Sequence, residues 1–176
     1  MKDLKATIRT VPDWPKKGIM FRDITTLLKD PEAFNQTIDI LCEHYRGADL
    51  DLVAGIEARG FIIGSALAHA LHLGFVPIRK KGKLPAQTAS QEYDLEYGKD
   101  VVEIHKDAIS PGMRVLVADD LLATGGTALA ACKLIESLGG KIVECCFVIS
   151  LPDLGGGSRL EKVGFKVHWL IEFEGD

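Results

Sequence analysis

The sequence predicts an α/β fold with a mostly parallel central sheet flanked by helices. Five apolar runs rich in β-branched residues are bounded by glycine or proline, and helical patterns lie between several of them. Strands that are apolar on both faces are typical of a buried parallel sheet, and alternation of strands with helices favours parallel connections. The predicted strands are 51–56, 74–79, 114–119, 142–150 and 165–171.

Three segments between these runs carry the signals of helices. Asp30 and Pro31 form a typical cap and first-turn pair, and apolar residues follow at helical spacing up to Gly47. Residues 60–73 are rich in alanine and leucine, and the apolar residues of 131–138 recur at the spacing of one helix face. We expect these helices to cover both faces of the sheet.

The length and composition favour one domain with a substantial core. The chain has 176 residues, 47% hydrophobic residues and a formal net charge of -4. We therefore expect a single domain, 1–176, that binds no nucleic acid through bulk charge. No apolar run approaches about 20 residues, which predicts no membrane span and a cytoplasmic protein. The four cysteines form no CxxC pair, which disfavours a disulfide framework or zinc site.

Two segments lack the pattern of a helix or a strand. Residues 80–100 are polar and long, and such a stretch in a compact domain usually forms a functional loop. Residues 150–160 contain three consecutive glycines without a strong helix-starting pattern. A flexible loop is expected there as well.

Two adjacent carboxylates, Asp119 and Asp120, stand at the predicted carboxyl end of a strand, where α/β proteins bind ligands. Two ionised side chains at such a position repel each other unless they accept hydrogen bonds or face a cation. A turn that leads into a predicted helix follows this acidic pair. The turn consists of Ala123, Thr124, Gly125, Gly126 and Thr127.

The composition of this turn suits a phosphate monoester. Glycines let backbone amides approach a ligand, threonines supply hydroxyl donors, and a helix start carries partial positive charge. No lysine follows the glycines and no GxGxxG pattern is present, which disfavours a nucleoside triphosphate or a dinucleotide. The glycines alone would equally fit a plain tight turn. The neighbouring acids favour a sugar phosphate, whose hydroxyls would donate to the carboxylates and whose oxygens magnesium could bridge.

Several motifs in order resemble the type I phosphoribosyltransferases. They are VPDWPKKGIMFRDITTLLKDP, GIEARGFIIG, PIRKKGKLP, YDLEYGKD and VLVADDLLATGGT. The resemblance implies binding of 5-phospho-α-D-ribose 1-diphosphate (PRPP), a small hood formed by about 1–30 and 150–160, a flexible active-site loop at about 80–100, and a homodimer. Hypoxanthine-guanine members usually carry an aspartate at the position of Ala123, so adenine is the implied base. The implied reaction converts adenine and PRPP to AMP and diphosphate, a step of purine salvage.

The resemblance also implies roles for individual residues. Glu96 is implied in proton transfer at the purine and Tyr97 in shielding the reacting centre, with Asp119 and Asp120 as further catalytic residues. Mg²⁺ is the implied cofactor, held mainly by PRPP near the acidic pair and without a certain protein ligand. The implied diphosphate-binding residues are Ala58, Arg59, Arg79 and Lys83, and the implied adenine-binding residues are Met20, Phe21, Arg22 and Leu154.

Two other functions stay open on the sequence. A related enzyme that acts on xanthine or guanine would share these motifs, because purine selection can rest on backbone groups. A regulator of the same fold would bind PRPP without turnover. Such regulators normally carry a DNA-binding module, and no basic helix-turn-helix segment precedes the motifs.

Overall fold

The computed structural model describes residues 1–95 and 98–175. Residues Pro152–Leu154 form a short 3₁₀ turn. The helices and strands, in chain order, are α1 (Leu4–Thr7), β1 (Arg9–Pro12), β2 (Met20–Asp23), α2 (Thr25–Lys29), α3 (Pro31–Tyr45), β3 (Leu52–Ile56), α4 (Gly60–Ala70), β4 (Gly74–Lys80), β5 (Thr88–Leu95), β6 (Gly98–His105), β7 (Arg114–Leu122), α5 (Gly126–Ser137), β8 (Lys141–Ser150), α6 (Gly156–Glu161) and β9 (Val167–Glu172).

Seven strands form the central sheet in the order β5-β6-β4-β3-β7-β8-β9. Strands β4, β3, β7, β8 and β9 run parallel to their neighbours in this order. At one edge, β6 pairs antiparallel with β4, and β5 pairs antiparallel with β6. Gly55 of β3 pairs with Ala118 of β7, so the carboxyl ends of these two strands are neighbours. The predicted mostly parallel α/β sheet is thus confirmed, and the segments that follow β3 and β7 meet at one edge.

Alternate side chains of β3 enter two separate apolar clusters. Val53 belongs to a cluster with Leu41 of α3 and Ile63 of α4. Ile56 belongs to the other cluster, with Ile135 of α5. Burying one large aliphatic side chain stabilises the fold by about 1.5–3 kcal/mol, so both faces of the sheet need the helices that cover them.

The predicted start of the longest helix is confirmed in detail. Asp30 caps α3 by accepting hydrogen bonds from the amides of Glu32 and Ala33, each at 3.1 Å. Pro31 occupies the first turn of α3, where its missing N–H costs no helical hydrogen bond. No helix among the described residues is long and apolar enough to cross a membrane.

The segment expected to be a loop at 80–100 contains β5 and the start of β6. Their register runs from Thr88 opposite His105 to Leu95 opposite Gly98. The sequence gives no clear strand pattern here because most side chains of the segment are polar and face solvent. The strands are held together by pairing of their backbone groups. Tyr93 supplies the buried contact, at 8% exposure. The expectation of a segment without regular structure was wrong for 88–95 and 98–100, whereas 81–87 lie in no helix or strand.

The glycine-rich segment at 150–160 is also ordered into the 3₁₀ turn and α6. Gly155 has a φ of +72°, a left-handed conformation that lets the chain pass from one helical turn to the next. Leu160 of α6 is fully buried and holds the helix against the sheet. The flexible loop expected from the three glycines was therefore wrong, because a packed apolar residue outweighs their conformational freedom.

Candidate active site

The turn after β7 forms the start of α5 and has the geometry of an anion site. Gly125 has a φ of +74°, and the first backbone hydrogen bond of the helix runs from the Leu129 amide to the Gly125 carbonyl at 2.9 Å. The amides at 126–128 consequently have no acceptor within the helix. Together with Asp119, the turn lines a small cavity of about 90 Å³. Free amides at a helix start are the donors that bind a phosphate.

The acidic pair lies within β7, which continues to Leu122, beyond the strand end predicted at 119. Asp120 is 4% exposed, and its carboxylate accepts a hydrogen bond from Nε of Arg59. Asp119 accepts one from the Asp120 amide at 2.8 Å. Burial and the negative charge of Asp120 raise the pKa of Asp119 well above its usual range. One acid faces a cation and the other is held toward its protonated form, which relieves their repulsion.

A second turn joins β3 to α4 beside the acidic pair. The peptide bond between Glu57 and Ala58 is cis. Arg59 precedes the first residue of α4, and its side chain remains 43% exposed while it pairs with Asp120. Gly60 allows the close approach of the two turns, since a Cβ atom there would lie 2.7 Å from Oδ1 of Asp119.

The basic segment after β4 is attached to this second turn. Arg79 donates from Nε to the Glu57 carboxylate at 3.0 Å and from Nη1 to the Lys83 carbonyl at 3.1 Å. The Lys80 amide donates to the same carboxylate at 3.0 Å. Burial acts to raise the pKa of Glu57, but these donors outweigh it and the net shift is downward. Arg79 therefore buttresses the turn that carries Arg59, while Lys83 is exposed beside it.

The hairpin of β1 and β2 brings an aromatic ring to the same place. Phe21 packs edge-on against Trp14, with 4.4 Å between ring centroids. The guanidinium of Arg59 lies 5.7 Å from the Phe21 ring centroid. Side chains alternate along a strand, and Arg22 accordingly faces away, where it is 9% exposed and donates to Thr10 at 2.8 Å. Arg59 thus contacts both the N-terminal hairpin and Asp120.

The end of β5 lies against the turn after β7. The buried Tyr93 hydroxyl donates to Asp100 at 3.1 Å, and Asp100 is also paired with Lys80. A Cβ atom at Gly126 would lie 3.5 Å from the Asp94 carbonyl oxygen and 3.7 Å from the Tyr93 ring. Burial raises the pKa of Tyr93, so its hydroxyl stays a donor at neutral pH.

Comparisons with known proteins agree on one family. Residues 23–171 match the model of the phosphoribosyl transferase domain. The adenine phosphoribosyltransferase of Chlorobium phaeovibrioides is 61% identical over 175 residues, which cover 98% of this chain and 99% of that protein. The chain belongs to the adenine phosphoribosyltransferase family.

Solved adenine phosphoribosyltransferases share the fold. The structure from Thermoanaerobacter pseudethanolicus has a TM-score of 0.94 at 53% identity, covering 97% of this chain and 98% of that one. The structure from Saccharomyces cerevisiae, complexed with adenine and an imino-altritol bisphosphate, has a TM-score of 0.91 at 40% identity and covers 96% of both chains. The resemblance seen in the sequence motifs, and the type I phosphoribosyltransferase fold it implied, are confirmed.

Not all residues singled out by resemblance to adenine phosphoribosyltransferases lie together. Phe21 reaches Arg59, whereas Arg22 faces the other side of β2 and lies over the Phe173 ring, 4.4 Å from its centroid. Met20 neighbours Phe21 in β2 and is partly buried. Leu154 ends the 3₁₀ turn and is 39% exposed. The expected catalytic residues Glu96 and Tyr97 lie outside the described residues.

Three residues that contact the turn at 123–127 were not singled out from the sequence. Gly156 packs on Ala123 so closely that a Cβ atom would overlap its carbonyl oxygen. Arg159 donates from Nη1 to the Thr124 carbonyl at 3.4 Å. Tyr93 packs on the same turn. Gly156 and Arg159 are three residues apart, a helical spacing that identifies a common face only once α6 is known to be a helix.

The acidic pair is compatible with a magnesium ion that arrives with a phosphorylated substrate. Within residues 1–95 and 98–175, no group of three or more histidine, cysteine, aspartate or glutamate side chains is arranged to hold a metal ion. Mg²⁺ in phosphoryl sites is commonly bound by one or two carboxylates plus substrate oxygens and water. Asp119 and Asp120 suit that arrangement, and they do not form a complete protein cage.

Proposed function

We propose that the chain transfers the 5-phosphoribosyl group of PRPP to adenine and releases AMP and diphosphate. The full-length similarity to adenine phosphoribosyltransferases supports this reaction. The structural observation that carries it is the position of Arg59, which bonds Asp120 and lies over Phe21. Arg59 thereby joins Phe21, which would cover the base, to Asp120, which would bind the sugar. The bond between base and sugar would form at this place.

The phosphoribosyl half of PRPP would occupy the edge of the sheet at β7. The amides and hydroxyls of 123–127 would hold the 5′-phosphate, with support from the helix start and the small cavity beside it. The acidic pair would accept hydrogen bonds from the ribose hydroxyls. Asp119 can also donate one when protonated, which its raised pKa favours.

The diphosphate would lie against the second turn. Ala58 and Arg59 would supply backbone amides and a guanidinium, and Arg79 and Lys83 would add positive charge. Arg59 is suited to a ligand-dependent role because 43% of its side chain stays exposed. Arg79 is fixed by Glu57, so its contribution would come from charge and from a rigid turn.

The base would stack under the N-terminal hairpin. Phe21 would cover the adenine ring, the backbone near Met20 would meet its edge, and Leu154 would close the opposite side. Arg22 would act by holding the hairpin through Thr10. This is the hood proposed for about 1–30 and 150–160 within a single domain of residues 1–176.

The protein groups favour a dissociative displacement at C1′ without a covalent enzyme intermediate. The residues position base and sugar, exclude water and stabilise the departing charge, effects that lower the barrier to an oxocarbenium-like transition state. Glu96 would exchange a proton with the purine and Tyr97 would shield the centre. Magnesium bound to PRPP beside Asp119 and Asp120 would neutralise phosphate charge.

Diphosphate release measured separately with adenine, hypoxanthine, guanine and xanthine tests the proposal. Release with adenine alone is the expected result, and the Asp120→Asn variant should reduce it if this site is responsible. Release only with another base would establish the xanthine or guanine alternative. PRPP binding without release with any base would identify a regulator.

The biological setting follows from this chemistry as a further part of the proposal. Recovery of adenine as AMP is a purine salvage reaction, and we propose that role. A cytoplasmic location and a homodimer stay predictions. Sedimentation at several protein concentrations would test the dimer, and a monomer at micromolar concentration would contradict it.

A further inference from the structure

One cation at the predicted 5′-phosphate turn has no role in the reaction described so far. Arg159 is an exposed residue of α6, and its Nη1 donates to the Thr124 carbonyl at 3.4 Å. The same nitrogen is 3.4 Å from the position that a Cβ atom of Gly126 would occupy. The guanidinium therefore lies against the first residues of α5, on the segment predicted to hold the phosphate.

The position of Arg159 is fixed by the packing of α6. Gly156 precedes it by three residues and contacts Ala123 and Gly125, which a side chain at 156 would prevent. Residues three apart share a face of a helix, so the face of α6 that touches the turn is the face that carries Arg159. Leu160, fully buried, anchors the next position.

The charge of Arg159 is not neutralised by the protein. Arg59 is paired with Asp120 and Arg79 with Glu57. Arg159, in contrast, has no ion pair with any carboxylate in the part of the chain that the structure describes, and its contact is with a neutral carbonyl. A guanidinium has five N–H donors in a planar fork that matches phosphate oxygens, and one donor is used by Thr124.

We infer that Arg159 is a phosphate-binding residue that sets the affinity of the site for the 5′-phosphate of the ribose donor. The inference rests on the proposed function, since it assigns a cation to the 5′-phosphate site of PRPP. The ligand chemistry is a sugar 5-phosphate monoester. The base and the diphosphate are bound elsewhere and do not depend on this residue.

Steady-state kinetics of Arg159→Ala provide the test. We expect its KM for PRPP to rise about two- to fivefold, the effect of one exposed ion pair, with KM for adenine unchanged and kcat within about twofold. Arg159→Lys should recover part of the loss, because it keeps the charge without the fork. Lys162→Ala removes an exposed charge from the end of the same helix and should match the original protein.

Binding of ribose 5-phosphate, measured by calorimetry, separates a phosphate contact from a structural effect. Arg159→Ala should weaken it by the same factor, while binding of diphosphate alone and the melting temperature stay unchanged. Equal PRPP affinity in Arg159→Ala and Lys162→Ala overturns the inference. A parallel loss of diphosphate binding overturns it as well. If the unaltered chain releases no diphosphate with adenine, the proposed function fails, and ribose 5-phosphate binding still decides the role of Arg159.

Discussion

Gly156 and Ala123 touch across the base of the predicted 5′-phosphate site. A Cβ atom at position 156 would overlap the Ala123 carbonyl oxygen and lie 2.9 Å from the Gly125 amide nitrogen. Both of these neighbours are backbone atoms and cannot move aside as a flexible side chain would. The turn at 123–127 can therefore keep its shape only because residue 156 has no side chain.

Gly156→Ala is expected to destabilise the protein and to weaken PRPP binding together. Overpacking a tight contact usually costs about 1–3 kcal/mol, and relief of the clash must displace the turn. Urea unfolding and KM for PRPP are the measurements. Ser158→Ala, at an exposed position of the same helix, should change stability by less than about 0.5 kcal/mol. An alanine variant with the original stability and KM would show that the contact is dispensable.

The pair of Arg59 and Asp120 should be energetically coupled. Asp120→Asn keeps the side-chain shape and removes its charge, and Arg59→Lys keeps the charge and removes the planar donor group. Because Arg59 is 43% exposed, solvent screening limits the expected coupling to about 1 kcal/mol. A double-mutant cycle on urea unfolding measures it. Strict additivity of the two single changes would mean that the planar donor group of Arg59 adds nothing to the pair with Asp120 beyond its charge.

Glu96→Ala should lower kcat by about 10²–10⁴-fold, the usual contribution of a general acid or base, with little change in KM for PRPP. Glu96→Gln should be as slow, because an amide cannot exchange the proton. Glu92→Ala removes an exposed carboxylate that pairs with Lys99 across β5 and β6, and it serves as the control. Unchanged turnover in Glu96→Ala would remove this residue from the mechanism.

His168 should make the stability of the protein depend on pH. It stacks on His44 at 3.7 Å between ring centroids, and His44 lies 3.0 Å from Glu144. Burial, and then the charge of His44, lower the pKa of His168 below its ordinary value of about 6.5. The unfolded chain then binds a proton that the folded chain does not. Stability should be unaffected above about pH 6.5 and should fall as the pH drops below it.

Urea unfolding of the original protein and of His168→Gln at pH 7.5 and 5.5 tests this pH dependence. The variant should lose less stability between the two values, whatever its stability at pH 7.5. His69→Gln changes an exposed histidine and should keep the original slope. Identical slopes for all three proteins would exclude His168 as the source.

The acidic pair shows which features of the site can be predicted from local sequence and which cannot. Its place near the end of an apolar strand predicted a ligand-binding edge, and the mutual repulsion predicted a nearby cation or donor. The cation proved to be Arg59, which is 61 residues away in the chain. No local pattern connects these residues, because they meet only through the pairing of β3 with β7.

The two errors at 80–100 and 150–160 have a common cause. Both segments are polar or rich in glycine, so their local preferences are weak, and neighbours decide their structure. β5 is ordered by pairing with β6 and by Tyr93 on α5, and α6 by the burial of Leu160. Weak local preference was mistaken for absence of structure.

The sequence by itself determined the parallel α/β sheet, its main helices and the composition of the turn at 123–127, because apolar periodicity, caps and glycines act over a few neighbouring residues. Tertiary structure alone decided which side chains reach that turn. Arg159 and Thr124 are 35 residues apart, and their contact depends on how α6 packs beside α5. Such a contact has no local signal, since its energy arises only when both segments are already folded against the sheet.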